Sequence, residues 1–141
     1  MPNPNTQPLA VGLIKNGQAI GTTLNTGRDS SGTVGTNLFL LYTAGLSGAI
    51  IPRIRAVHMG PTGTLSTAMS LRLFKWSSGG GVKTLIDEAL LPAATPTVGT
   101  VLGAAVTFPK GNYFLAPGEL LYVAQTATEN VGYEADQGGD T

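Results

Sequence analysis

Apolar and polar positions alternate along this chain in short runs, and the alternation predicts a succession of β-strands. The strongest signal lies in Ala49 to Trp76, AIIPRIRAVHMGPTGTLSTAMSLRLFKW. A period of two puts Ile50, Ile54, Ala56 and His58 on one face and Arg53, Arg55, Val57 and Met59 on the other. That is the spacing of a strand, whose side chains point alternately to its two sides. The next run puts Met69, Leu71 and Leu73 on one face and Ser70, Arg72, Phe74 and Trp76 on the other. Between them, Gly60-Pro61-Thr62-Gly63-Thr64 has turn chemistry, with Pro presetting φ and Gly supplying positive φ. The segment therefore predicts two long strands joined by a turn. Their second face mixes Val57, Met59, Phe74 and Trp76 with Arg53, Arg55 and Arg72. Such a face is covered either by another subunit or by the protein's own loops.

The remaining strands are shorter. Leu9 to Ile14 and Ala19 to Leu24 flank Asn16-Gly17, a hairpin signal, and predict a hairpin over residues 9–24. Asn25 to Thr36 is a polar loop with three glycines, and Asn37 to Thr43 is an apolar run read as a buried strand. Val82, Leu85, Ile86, Ala89 and Leu90 have helical spacing, with Gly81 before them and Pro92 soon after. Strand signals on both sides leave this segment open between helix and strand. Val101 to Phe108, Tyr113 to Ala116 and Glu119 to Thr126 read as further strands, the last buried on both faces. In the final strand Val131, Tyr133 and Ala135 alternate with Gly132, Glu134 and Asp136. Short strands with closely spaced turns predict an all-β, single-domain β-sandwich or jelly roll over residues 9–141. Residues 1–8, MPNPNTQP, carry three prolines and predict an extended N-terminal arm.

Composition narrows the function classes. The chain has 141 residues and no cysteine, which removes disulfides and thiolate metal sites. Its 8 basic and 8 acidic residues cancel, so it lacks the basic field of a nucleic-acid binder, and no nucleic-acid partner is expected. No apolar run is long enough to span a bilayer, and no membrane partner is expected. The start of the chain lacks the basic region and apolar run of a secretory signal. Charged residues make up only 11%, against about 25% in an ordinary soluble domain. Spread over roughly 6,800 Å² of expected surface, so few charges suit either burial in an assembly or a Thr/Ser surface.

Candidate chemistry is sparse. His58 is the one histidine, and without cysteines a zinc site has too few nitrogen and sulfur ligands. No nucleophile elbow, phosphate loop or dinucleotide fingerprint is present. Asp87 and Glu88 are adjacent, so on a strand they diverge and cannot form a facing acid/base pair. Glu134, Asp136 and Asp140 could in principle hold Ca²⁺, an oxygen-seeking cation. A solvated chain end is the plainer reading of the three. No enzyme activity and no cofactor are expected.

The second half has a recognisable order. It runs from RIRAVHMG through LRLFKW and a Gly-rich tip into LIDEALLP, then an A/T/P loop, LAPGELLYVAQ and a closing GGD. This resembles a family of small tailed-bacteriophage virion proteins of β-sandwich type. Ile54, Leu71 to Phe74, Leu85 to Leu91, Pro117 to Val123 and Gly138 to Asp140 carry the resemblance, over roughly residues 50–141. The resemblance implies a strand over residues 83–91. It also implies a homotrimeric capsid decoration protein, made in the host cytoplasm and located on the capsid surface, whose partner is the major capsid protein. The alternative it leaves is a tail, fibre or baseplate adaptor touching a receptor or glycan through Tyr and Trp. It transfers no site motif. The expected oligomer or capsid interface comprises Val57, Met59, Phe74, Trp76, Arg53 and Arg55.

Overall fold

The protein is described by a computed structural model covering residues 13–28, 33–61, 63–77, 83–97, 104–136 and 138–140. The proposed arm at residues 1–8 lies outside the described residues. Among the described residues there are twelve strands and no helix. The strands are β1 (Leu13–Ile14), β2 (Gly17–Gly21), β3 (Phe39–Thr43), β4 (Ala49–Ile51), β5 (Arg53–His58) and β6 (Met69–Trp76). They continue with β7 (Thr84–Leu91), β8 (Ala105–Thr107), β9 (Tyr113–Leu115), β10 (Leu120–Gln125), β11 (Val131–Asp136) and β12 (Gly139–Asp140).

They form three antiparallel sheets. A front sheet has the order β2-β11-β5-β8, a back sheet β3-β10-β6-β7, and a small sheet β1-β12-β4-β9. The front and small sheets are built from the same four chain segments. Residues 13–21 follow residues 131–140 throughout, from Leu13↔Asp140 to Gly21↔Val131, with the Lys15 N–H donating to the Gly138 carbonyl at the corner. Residues 49–58 line the other side of 131–140. Residues 105–107 and 113–115 complete the set. The corner is set by Pro52, which cannot donate to a ladder, and by Gly138. A Cβ on Gly138 would lie 2.1 Å from the Ile50 carbonyl oxygen and 2.8 Å from Pro52 Cδ, so only glycine fits the bend.

The inward faces of all three sheets share one core. Leu71, Leu73, Leu121 and Val123 come from the back sheet, Ile54, Ala56, Tyr133 and Ala135 from the front, and Ala49, Ile51, Tyr113 and Leu115 from the small sheet. Two layers around one apolar core make the architecture sandwich-like. The all-β expectation therefore holds.

Several finer expectations do not. Residues 49–76 are not a hairpin: β5 pairs with β11 and β8, whereas β6 pairs with β10 and β7 in the opposite layer. The Gly/Pro/Thr stretch is a crossing between layers. Ile50 does not share a face with Ile54, because the alternation slips by one residue at Pro52; Ala49 and Ile51 are buried before it, Ile54 and Ala56 after it. Residues 9–24 form no hairpin over their described part, since Gly17 opens β2 and both halves pair with the C-terminal segment. Segment 84–91 is a strand, as the resemblance implied.

Candidate functional site

Most of the described polar groups with unusual surroundings serve the fold. Arg72 is buried on the outer side of the back sheet. Its Nε donates to Glu88 Oε1 at 2.8 Å, and its Nη1 donates to the carbonyls of Asn25 and Gly27 at 3.2 and 3.1 Å. Arg28 Nη2 reaches Glu88 Oε2 at 2.7 Å. The network fastens the loop after β2 over the sheet. Beneath it Phe74, Leu38, Tyr122 and Ala124 form a second buried cluster, with Trp76, Leu85 and Leu120 packed partly against it. Asp87 turns elsewhere. Its carboxylate accepts from the Tyr113 hydroxyl at 2.6 Å and from the N–H groups of Lys110 and Glu88 at 3.0 and 2.9 Å. Burial and this bond push the Tyr113 hydroxyl pKa upward. The two adjacent carboxylates therefore have separate partners, as strand geometry requires.

His58 is buried, with Nδ1 accepting the Gly60 N–H at 3.2 Å. Its Nε2 has no hydrogen-bond partner among the described residues and lies 3.8 Å from Glu129 Oε2. That carboxylate is held by the Thr67 N–H and hydroxyl at 2.9 to 3.0 Å. Among the described residues no nucleophile is hydrogen-bonded to the imidazole, so the pair lacks there the third member that acyl-transfer chemistry needs. Among the described residues no group of three or more His, Cys, Asp or Glu side chains could hold a metal. Asp136 is taken by Arg53. Asp140 accepts from the Tyr42 hydroxyl and the Gly45 N–H, both at 3.0 Å, so the closing GGD serves as a corner and a cap.

The outer face of the front sheet differs. Its cross-strand register arranges three rows. The first reads Ile20, Gly132, Val57, Ala105 across the four strands. The second reads Gln18, Glu134, Arg55, Thr107, and the third pairs Asp136 with Arg53. Gly132 lines a hollow of about 630 Å³, walled by Ile20, Val57 and Met59 and bordered by Arg55 and Glu134. Met59 leans into the hollow, with Sδ 2.8 Å from where a Cβ on Gly132 would sit. Ile20 and Met59 are each 51% exposed. Arg53 grips Asp136 through two bonds of 2.9 and 2.6 Å, and this hydrogen bonding holds the Asp136 carboxyl below the usual carboxylate range. Arg55 and Glu134 face each other in register without an ion pair among the described residues.

The six residues expected at an interface thus separate. Arg53, Arg55, Val57 and Met59 share the outer face of the front sheet. Phe74 is fully buried in the opposite layer, and Trp76 lies half-buried there with its ring 5.9 Å from that of Tyr122. Phe74 is covered within the chain, by Leu38 of the loop before β3 and by Tyr122 and Ala124 of β10. Arg72 does not join Arg53 and Arg55, because β6 belongs to the other layer. The sequence reading missed Ile20, Gln18, Gly132 and the acidic stripe Glu134/Asp136 as members of this face. Their alternation was visible, but their neighbours were not. No family model and no curated protein matches the chain.

Proposed function

We propose that the chain is a structural protein of a bacteriophage virion, decorating or cementing the outer surface of the capsid through contact with the major capsid protein. The observation that carries this reading is the charged fraction of 11%, which suits a chain that works inside an assembly. The outer face of the front sheet, with an apolar hollow and balanced charges, is a surface suited to contact with protein within that assembly. The tail or fibre reading draws on Tyr and Trp contacts with a receptor or glycan. Tyr42, Tyr113, Tyr122 and Tyr133 are all buried, which leaves that reading only the partly buried Trp76. The resemblance also implies three copies around a three-fold position.

Residues 1–8 serve in this proposal as the arm that attaches the chain to the capsid. Deleting residues 1–7 removes nothing from the described strands. The truncated chain should keep its β-structure and bind particles lacking the protein at least about tenfold more weakly, a loss of about 1.4 kcal/mol. Co-sedimentation of purified chain with such particles measures this. Failure of the full-length chain to bind any particle refutes the function, and equal binding by the truncated chain refutes the role of the arm.

A further inference from the structure

We infer that the outer face of the front sheet docks on the same face of a second copy, about a two-fold axis running parallel to the strands between β11 and β5. The inference rests on the cross-strand register of this face and is independent of the virion reading. Such an axis turns the sheet over and exchanges left with right while preserving position along the strand. β11 of one copy then lies over β5 of the other, and β2 over β8. Each row meets itself reversed.

The rows are complementary under that operation, and a slide by one strand spoils the match. In the first row Ile20 meets Ala105, and Val57 meets Gly132 with the Met59 side chain lying over it, so the row is apolar throughout. In the second row Glu134 meets Arg55, and Gln18 meets Thr107. In the third row Asp136 meets Arg53. The acidic stripe on β11 and the basic stripe on β5 would each face their opposites, and a slide by one strand would oppose like charges or stack Ile20 on Val57. Arg53 and Asp136 already neutralise each other within one chain, whereas Arg55 and Glu134 have no ion-pair partner among the described residues. Those two gain most from a second copy. The Met59 side chain lies over Gly132, so Val57 of the facing copy would pack on Met59 at the wall of the hollow.

The size of the face sets the strength. Strands of five, six, six and three residues, spaced about 4.8 Å apart at about 3.4 Å per residue, cover about 330 Å² of flat sheet per copy. A standard interface buries about 800 Å² per partner. The pair is therefore weak in solution, dependent on concentration, and sensitive to salt through its charge pairs. The contact is isologous, using one patch on both copies. A closed three-fold ring needs two different patches, so the solution species is a dimer and not the trimer that the resemblance implies.

Sedimentation velocity across a dilution series tests the pairing with the full chain. A monomer–dimer equilibrium is expected, weakening as salt rises. Arg55→Glu alone and Glu134→Arg alone should each raise the dimer dissociation constant about tenfold or more, because each opposes like charges twice per dimer. The double exchange, Arg55→Glu with Glu134→Arg, should restore association. Ile20→Asp, at an exposed edge position, should weaken association while circular dichroism and the melting temperature stay near native. A monomer at every concentration, a trimer, or a double exchange that associates no better than the singles overturns the inference.

Discussion

Phe74→Ala should lower the unfolding free energy by about 4 kcal/mol, the usual cost of emptying a buried phenylalanine site, and should leave self-association of the folded protein unchanged. Phe74 is fully buried and packs with Leu38, Tyr122 and Ala124. Its neighbours come from β10 and from the segment before β3, each fixed by backbone pairing, so the site collapses little when the ring is removed. The sequence placed Phe74 on a face too apolar to leave wet, and that physical judgement was sound. What covers it is the chain itself. Urea unfolding followed by sedimentation of the folded variant separates the two roles. A variant of native stability with altered association would return Phe74 to an interface.

Arg72→Ala should cost at least about 3 kcal/mol, because it breaks a buried ion pair and strands its partners. The guanidinium is only 9% exposed as a side chain. Its loss leaves the Asn25 and Gly27 carbonyls without their donor and Glu88 held only by Arg28. Glu88→Gln should cost less, since that side chain is 30% exposed and water can replace part of what it loses. A double-mutant cycle on the two positions should show coupling above about 1 kcal/mol, as expected for residues sharing one network. The loop after β2 should also gain hydrogen exchange in Arg72→Ala before the sheets do. Additive effects with unchanged exchange in residues 24–28 would show that the network does not hold the loop.

The extent to which the fold was legible in the sequence follows from how local each signal was. The core faces of β6, β10 and β11 were legible because their alternation is unbroken within each strand. The layer to which each strand belongs was not. Sequence adjacency suggested that β5 and β6 pair, yet each takes its partners from residues 84–136. The Asn16-Gly17 signal failed because residues 13–21 have a continuous partner in the C-terminal segment, and tertiary pairing overrode local turn preference. The helical spacing of Leu85, Ile86, Ala89 and Leu90 has a concrete origin. Register shifts between Leu73 and Phe74, so Ile86 is an extra residue in β7, and a bulge breaks the period of two. Leu85 then packs outward with the Phe74 cluster while Ile86 and Ala89 belong to the main core.

The candidate surface was half legible for the same reason. Arg53, Arg55 and Val57 could be placed together because they lie on one strand. Glu134 and Asp136 could be placed together on another. Only the pairing of β11 with β5 sets an acidic stripe beside a basic one, and only the pairing of β2 with β11 brings Ile20 to the hollow it shares with Val57 and Met59. Neither feature has a signature within a single strand.

The central proposal is that this protein acts as a structural part of a phage particle, on the capsid exterior. A reconstruction of the intact particle, compared with particles made without the protein, tests it most directly. The expected result is difference density at regular positions on the outer capsid surface, large enough for this chain. Density confined to the tail or baseplate, or particles identical with and without the protein, would contradict the proposal.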